Sequence, residues 1–124
     1  MFPPEFVAAV NRSNLIKVSA GAERTTSLEI WVVCVDGRLF ARSWGLSERS
    51  WFSAFINGAC GFLECERLRV NVSGRRPLDL SAVSARIDAE YLRKYDNGAN
   101  SKYAHGILAQ QHVERTLEFI PATS

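Results

Sequence analysis

Lysine, histidine and cysteine are scarce in this chain of 124 residues. Cys34, Cys60 and Cys65 are odd in number and lack the two-residue gap of a zinc knuckle or a redox pair, which predicts reduced thiols in the core. His105 and His112 lie two helical turns apart with no acidic partner at a metal-ligand spacing, and this predicts a surface or loop pair. The sequence therefore indicates neither a disulfide framework nor a metal site.

Long apolar runs are also missing. No run approaches the roughly 20 residues that a membrane span needs, and residues 1–5 lack the basic and apolar regions of a signal peptide. No P-loop, no Gly-x-Gly-x-x-Gly string and no Ser-His-Asp constellation occurs, so a hydrolase or a dinucleotide fold has no positive support. We expect a cytoplasmic protein with no membrane partner.

The composition is that of an ordinary globular protein, with 47% hydrophobic and 23% charged residues, and predicts one domain over residues 1–124. Three of the 15 basic residues are lysines, which leaves 12 arginines, the cation best suited to phosphate or carboxylate. The chain also contains a basic stretch without interleaved aromatic residues. Such a stretch is more typical of a solvated strand face than of a nucleic-acid site, and the small net charge of +2 also argues against a nucleic-acid site. Its members are Arg67, Arg69, Arg75 and Arg76. No nucleic-acid partner is predicted.

The clearest element is a strand over 26–36, in which apolar residues alternate along one face. Asp36-Gly37 follows, a dipeptide typical of a type I′ hairpin. This turn predicts a register in which Val35 pairs with Arg38, residue 33 with residue 40, and Trp31 with Arg42. Arg42 and Trp31 are thus expected on the same side of the sheet, with Arg42 beside the indole ring.

The remaining pattern predicts a mainly β protein with flanking helices, an α+β fold with an antiparallel, barrel-like sheet. Ser50 is expected to cap a short aromatic helix over 51–57. Further strands are predicted over 15–19, 61–65, 68–72, 77–83 and 114–120, and helices near 5–10, over 85–95, capped by Ser84, and over 101–109.

One candidate ligand site lies close to the hairpin in sequence. Arg42-Ser43 and Arg49-Ser50-Trp51 combine two arginines with hydroxyl groups, a set suited to a phosphate group. The alternative is structural: Arg42 packs on Trp31, Arg49 is solvated and Ser50 is only a helix cap. The three tryptophans, Trp31, Trp44 and Trp51, are able either to stack on a flat cofactor or to form a core or a dimer seam, and the core or seam is favoured.

Most of the chain resembles a known bacterial family. The segments that carry the resemblance are 21–26, Glu29-Ile30-Trp31-Val32-Val33, 36–43, Ser50-Trp51-Phe52 and Arg69-Val70-Asn71-Val72, with Tyr91, Lys94 and Tyr95 and the terminal 118–121. They resemble a bacterial family of unknown function similar to the FMN-binding split-barrel superfamily, which includes pyridoxamine-phosphate-oxidase-like proteins and deazaflavin-dependent nitroreductases. The resemblance implies a split β-barrel, usually a homodimer, with FMN or a deazaflavin in a groove between the subunits.

The resemblance also implies roles for residues. Arg24-Thr25, Trp31 and Trp51 look like counterparts of the nitroreductase motifs, whereas the phosphate segment of those enzymes is reduced here to Gly21-Ala22-Glu23. With a flavin bound, phosphate would be neutralised by Arg24, Arg42 and Arg49, hydrogen bonds would come from Ser43 and Ser50, and the ring would lie against Trp31 or Trp51. The implied function is an oxidoreductase that uses a flavin or deazaflavin; the alternative is a non-catalytic dimeric split barrel without a cofactor.

Overall fold

The computed structural model describes residues 1–21, 27–45 and 50–122. Its helices are α1 (Pro4–Arg12), α2 (Trp51–Ile56), α3 (Leu80–Tyr95), α4 (Ser101–Gly106) and α5 (Gln110–Val113). Its strands are β1 (Ile16–Ala20), β2 (Leu28–Ile30), β3 (Val33–Val35), β4 (Arg38–Arg42), β5 (Gly61–Cys65), β6 (Leu68–Arg75) and β7 (Thr116–Pro121). The predicted α+β class is confirmed.

All seven strands belong to one antiparallel sheet with the order β2-β1-β5-β6-β7-β4-β3. In a flat sheet the two edge strands, β2 and β3, would lie about 29 Å apart, at about 4.8 Å per strand. However, only Trp31 and Val32 separate them in sequence, and three Cα–Cα steps reach about 11 Å at most. The sheet must therefore curl so that Ile30 at the end of β2 and Val33 at the start of β3 approach each other, as in a half-barrel.

The hairpin at Asp36-Gly37 has the predicted register, with Val35 opposite Arg38 and Val33 opposite Phe40. Both turn residues have positive φ, 53° and 79°, as a type I′ turn requires. The continuous strand predicted over 26–36 is wrong, because the chain pairs with β1 as β2 up to Ile30, crosses to the opposite edge of the sheet, and pairs with β4 only from Val33 onward. The predicted pairing of Trp31 with Arg42 is therefore absent from the β3–β4 ladder.

Side chains of α3 replace the hydrogen bonds that this crossing removes. Tyr95 Oη accepts from Val32 N at 3.2 Å and donates to the Asn14 carbonyl at 2.7 Å. Lys94 Nζ donates to the carbonyls of Val10, 2.8 Å away, and Val32, 2.7 Å away. The two-residue crossing is thereby bonded to the C-terminal end of α3, as buried backbone groups require.

Two apolar clusters hold the helices on the sheet. The larger one joins α1 and α2 to one face of the strands, with Phe6, Phe52 and Phe55 against Leu63 and Phe119. The second cluster joins α3 to the opposite face of β3 and β4, through every fourth residue of the helix and through Val33, Val35 and Phe40. Those helix residues are Val83, Ile87, Tyr91 and Tyr95. The outer face of the hairpin is thus covered by α3.

Two predictions near α3 are wrong. Residues 77–83 do not form a strand, because α3 begins at Leu80, and the helix face that starts at Val83 belongs to it. Ser84 is not a cap: its hydroxyl donates to the Leu80 carbonyl inside the helix, 2.7 Å away. The helix predicted over 101–109 is shorter than expected and ends at Gly106 as α4, and the separate helix α5 begins at Gln110. By contrast, the capping prediction for Ser50 is confirmed, since its Oγ accepts from Ser53 N.

Gly61 tests how tightly β5 is paired to β1. A Cβ added there would lie 1.8 Å from the backbone oxygen of Ser19, so Gly61→Ala forces the two strands apart. We expect the free energy of unfolding to fall by about 3 kcal/mol, measured by urea denaturation. Gly45→Ala is the matched control, because its added Cβ meets no described atom within 4 Å. Equal losses for both variants would contradict the close approach.

Lys94, which is bonded to the crossing, should make the free energy of unfolding depend on pH. Burial lowers the pKa of Lys94 from 10.5 to about 8, so the folded protein releases this proton before the unfolded chain does. Between pH 8 and 10.5 the unfolded state therefore binds more protons, and stability should rise with pH relative to Lys94→Met, by no more than about 2 kcal/mol because solvent screens the partly exposed ammonium group. Urea denaturation of both proteins across this range measures the difference, and parallel profiles would refute it.

Candidate functional site

A cavity of about 500 Å³ opens where the strand crosses between the edges of the sheet. It falls within the range of about 300–1,000 Å³ that is typical of small-molecule sites. Its walls are mainly apolar and aromatic and come from β2, the end of β4, α2, α3 and α4. They consist of Leu15, Leu28, Glu29, Ile30, Trp31, Arg42, Ser43, Trp44, Gly45, Ser50, Trp51, Tyr91, Tyr103 and Ile107.

All three tryptophans line this cavity, and each rests on another ring of the protein. Trp31 stacks on Tyr95, with ring centroids 4.2 Å apart and planes 7° apart. Trp51 is buried against Phe119. Trp44 is half exposed and stacks on His112 at 4.7 Å. Trp31 and Trp51 belong to the apolar clusters, as the core interpretation expects, and all three also present indole surface to the cavity.

Arg42 is the arginine among the lining residues, and its guanidinium is bound within the protein. Nη1 lies 2.6 Å from a carboxylate oxygen of Asp88 on α3, and Nε donates to Thr116 Oγ1 on β7 at 3.1 Å. Longer bonds reach the carbonyls of Ser84 and Ile107. The side chain has no exposed surface. This geometry gives Arg42 a structural role in docking α3 and leaves little of the guanidinium for a ligand phosphate.

The two serines are engaged locally as well. Ser43 Oγ donates to the Gly45 carbonyl at 2.6 Å, which shapes the chain after β4. Ser50 Oγ accepts from Ser53 N at the start of α2 and from the guanidinium of Arg115 at 2.8 Å. Both hydroxyl groups therefore help to build the wall of the cavity.

The structure brings five of the eight predicted site residues together. The same cavity is lined by Trp31, Arg42, Ser43, Ser50 and Trp51. The hairpin register predicted from the sequence had linked only Trp31 with Arg42. The other three predicted residues, Arg24, Thr25 and Arg49, lie outside the described ranges. A role in binding a cofactor stays a prediction for all eight.

Tyr91 is one of the lining residues that sequence reasoning did not place in the site. The sequence pattern placed it only within the helix predicted over 85–95. In the structure Tyr91 is fully buried, and its Oη accepts from the backbone N of Arg42 at 2.8 Å. Burial raises the pKa of its phenol to about 12. A neutral phenol group therefore stands at the edge of the cavity at physiological pH.

His112 is buried, so the predicted surface pair is wrong for this residue. Its Nδ1 lies 3.0 Å from the Ser43 carbonyl, which can only accept, so Nδ1 carries the proton. The imidazole ring of His112 stacks on the indole of Trp44. The prediction of core thiols holds for Cys65, which is buried, and is wrong for Cys60, which is exposed.

Three of the four arginines of the basic stretch make contacts within the protein. Arg75 pairs with Glu118, Arg69 lies over the ring of Phe62, and Arg76 donates to the carbonyl of Glu114. Within residues 1–21, 27–45 and 50–122, no three His, Cys, Asp or Glu side chains are grouped as metal ligands. Among the helices of the same ranges, none has the length and apolar character needed to cross a bilayer.

A family model matches residues 7–119, which is nearly the whole chain. The family is described as "Uncharacterized protein conserved in bacteria (DUF2255)". The chain belongs to this family. No curated protein matches the sequence.

Among solved structures, the chain is similar to the conserved hypothetical protein Rv2991 from Mycobacterium tuberculosis. The TM-score is 0.62 at 13% identity, and the match covers 100% of this chain and 82% of that one. At this identity the similarity establishes a shared fold. The curled antiparallel sheet with flanking helices is therefore an architecture that also occurs in a crystal structure.

Asp88 tests the structural role of Arg42. Asp88→Ala leaves the buried guanidinium without its carboxylate, and we expect the free energy of unfolding to fall by about 2 kcal/mol. Glu90→Ala on the same helix removes the more exposed Glu90–Arg93 pair and should cost less than about 1 kcal/mol. Urea denaturation distinguishes the two. A loss no larger for Asp88→Ala than for Glu90→Ala would show that the pair does not hold α3.

Proposed function

We propose that this protein binds a flat heteroaromatic molecule of the flavin or deazaflavin class in the indole-lined cavity and supports oxidoreductase chemistry of that cofactor. The observation that carries the proposal is the presence of three indoles around one cavity of about 500 Å³. The finer architecture that we propose is a split β-barrel of the flavin-reductase and pyridoxamine-phosphate-oxidase type. A bound flavin supplies hydride or electron transfer, and the protein supplies position and surroundings.

The lining residues fit the ring of such a cofactor better than they fit its phosphate. Trp31 and Trp44 are held by stacking on Tyr95 and His112, so their faces are in place before a ligand binds. A preorganised aromatic surface favours a flat ligand, because little side-chain entropy is lost on binding. Arg42, in contrast, is already bonded to Asp88. We infer that the described part of the site recognises the ring.

Binding of the ring is tested by titrating the protein with lumiflavin and with FMN while the tryptophan emission is recorded. We expect quenching that saturates, and about tenfold weaker affinity for Trp44→Leu, since an indole that is half exposed contributes ring contact with little role in the core. Leu78→Ala, an exposed residue outside the cavity, is the control and should bind as the wild type does. Absence of quenching by both compounds would sink the proposal.

A second candidate is a non-catalytic homodimer that covers the mouth of the cavity. It is favoured by the exposure of apolar side chains in the cavity wall: Leu15, Leu28, Trp44 and Tyr103 are each about half exposed. Such a patch is typical of a surface that another protein covers. The homodimer is also compatible with a bound cofactor, because the cavity would then lie at the interface.

The dimer is tested by measuring molar mass at several concentrations. We expect a dimer for the wild type and a monomer for Leu28→Asp, because a charge at the mouth would be buried without a partner. Leu68→Asp is a matched control, since Leu68 also lies on a strand with its side chain exposed, but away from the cavity. A monomeric wild type, or equal dissociation of both variants, would count against this interface.

A further inference from the structure

The hydrogen bonds of Tyr91 are incomplete. In a two-residue hairpin hydrogen-bonded pairs alternate with non-bonded ones, so Arg42 N would bond to position 31 if β3 continued. The chain pairs with β4 only from Val33 onward, so position 31 does not accept this bond. Tyr91 Oη accepts it from Arg42 N instead, at 2.8 Å. A phenol also has one hydrogen to donate. Among the described residues, nothing accepts that hydrogen.

Comparison with Tyr95 shows that the lack of an acceptor for the hydroxyl hydrogen is a feature of Tyr91 and not of both tyrosines. Both side chains come from the same face of α3 and both accept from a backbone N–H that the crossing frees. Tyr95, however, also donates to the Asn14 carbonyl at 2.7 Å. Buried hydroxyl groups in proteins nearly always use their donor. The donor of Tyr91 therefore lacks its partner, and Tyr91 is a wall residue of the cavity.

We propose that the Tyr91 hydroxyl is a hydrogen-bond donor to the ligand of this cavity, and that it selects flat ring ligands with an acceptor atom, a carbonyl oxygen or a ring nitrogen, at the ring edge. This inference rests on the proposed function and names the feature by which the site would recognise its ligand. Trp31 lies beside Tyr91, with ring centroids 6.5 Å apart. A ring held on the indole would present its edge to the phenol. Flavin rings carry carbonyl oxygens and ring nitrogens at such an edge.

The phenol is suited to this role in its surroundings. The Arg42 N–H occupies one lone pair of Oη and so restricts the direction of the O–H bond. Because burial raises the pKa of Tyr91 to about 12, the hydroxyl keeps its proton throughout the neutral range. The neighbouring lining residue Ile107 offers no side-chain acceptor that would compete. The hydroxyl hydrogen is thus left without an acceptor among the described residues, on a residue of the cavity wall.

The test uses two rings of the same shape, quinoline, which has a ring nitrogen acceptor, and naphthalene, which has none. Their affinities for the wild type, Tyr91→Phe and Tyr95→Phe are measured at pH 7.5 by quenching of tryptophan emission. We expect the wild type to prefer quinoline about tenfold, Tyr91→Phe to lose that preference, and Tyr95→Phe to keep it. The two variants each lose one hydroxyl from the crossing, so a general loss of stability would affect both.

The outcomes separate this inference from the proposed function. No preference for quinoline in the wild type, or an equal preference in Tyr91→Phe, overturns the inference even when lumiflavin binds. A preference lost only in Tyr91→Phe supports it even when neither lumiflavin nor FMN binds, in which case the proposed function fails alone. Binding of neither quinoline nor naphthalene overturns the inference alone, and the titration with lumiflavin and FMN then decides the proposed function.

A crystal of the wild-type protein soaked in quinoline gives a test that does not depend on the folding of a variant. We expect the ring nitrogen within hydrogen-bond distance of Tyr91 Oη. A quinoline molecule in the cavity with its nitrogen directed away from Tyr91 would overturn the inference.

Discussion

The bonds between α3 and the strand crossing at Trp31 and Val32 are the interaction on which the rest of the structure depends. A strand that changes edges frees backbone groups in the interior, and these groups need partners. Tyr91 and Tyr95 accept from Arg42 N and Val32 N, and Lys94 donates to the Val32 carbonyl. Without these side chains the sheet could not curl at this place at a tolerable free-energy cost.

The same crossing creates the cavity. Because β3 begins only at Val33, no strand of the described residues pairs with the last residues of β4 on the side away from β7, and the space beside Arg42 and Ser43 is enclosed by rings from other elements. The Arg42–Asp88 pair and the stack of Trp44 on His112 hold those walls in position. The cavity is therefore built by the packing that supports the fold, and its shape does not require a ligand.

Some of the site was predictable because the signal was local. Asp36-Gly37 determines a turn type and thereby the register of β3 and β4. The expectation that Trp31 and Arg42 share a side agrees with their common neighbour, Tyr91. Ser50 caps α2 through a bond to Ser53, three residues away. The predicted contact between Arg42 and Trp31 is replaced by the Arg42–Asp88 pair because Asp88 offers a charge on the facing helix.

The sequence by itself determined the fold class, the hairpin, most strand positions and the aromatic composition of the site, since these follow from periodicity and turn chemistry within a few residues. Only the tertiary structure decided where the strand breaks, that Arg42 is bonded to Asp88, that His112 is buried and that Tyr91 faces the cavity. The partners in those contacts lie 46 to 69 positions apart in the chain. A sequence pattern that extends over a few residues carries no information about contacts between residues so far apart in the chain.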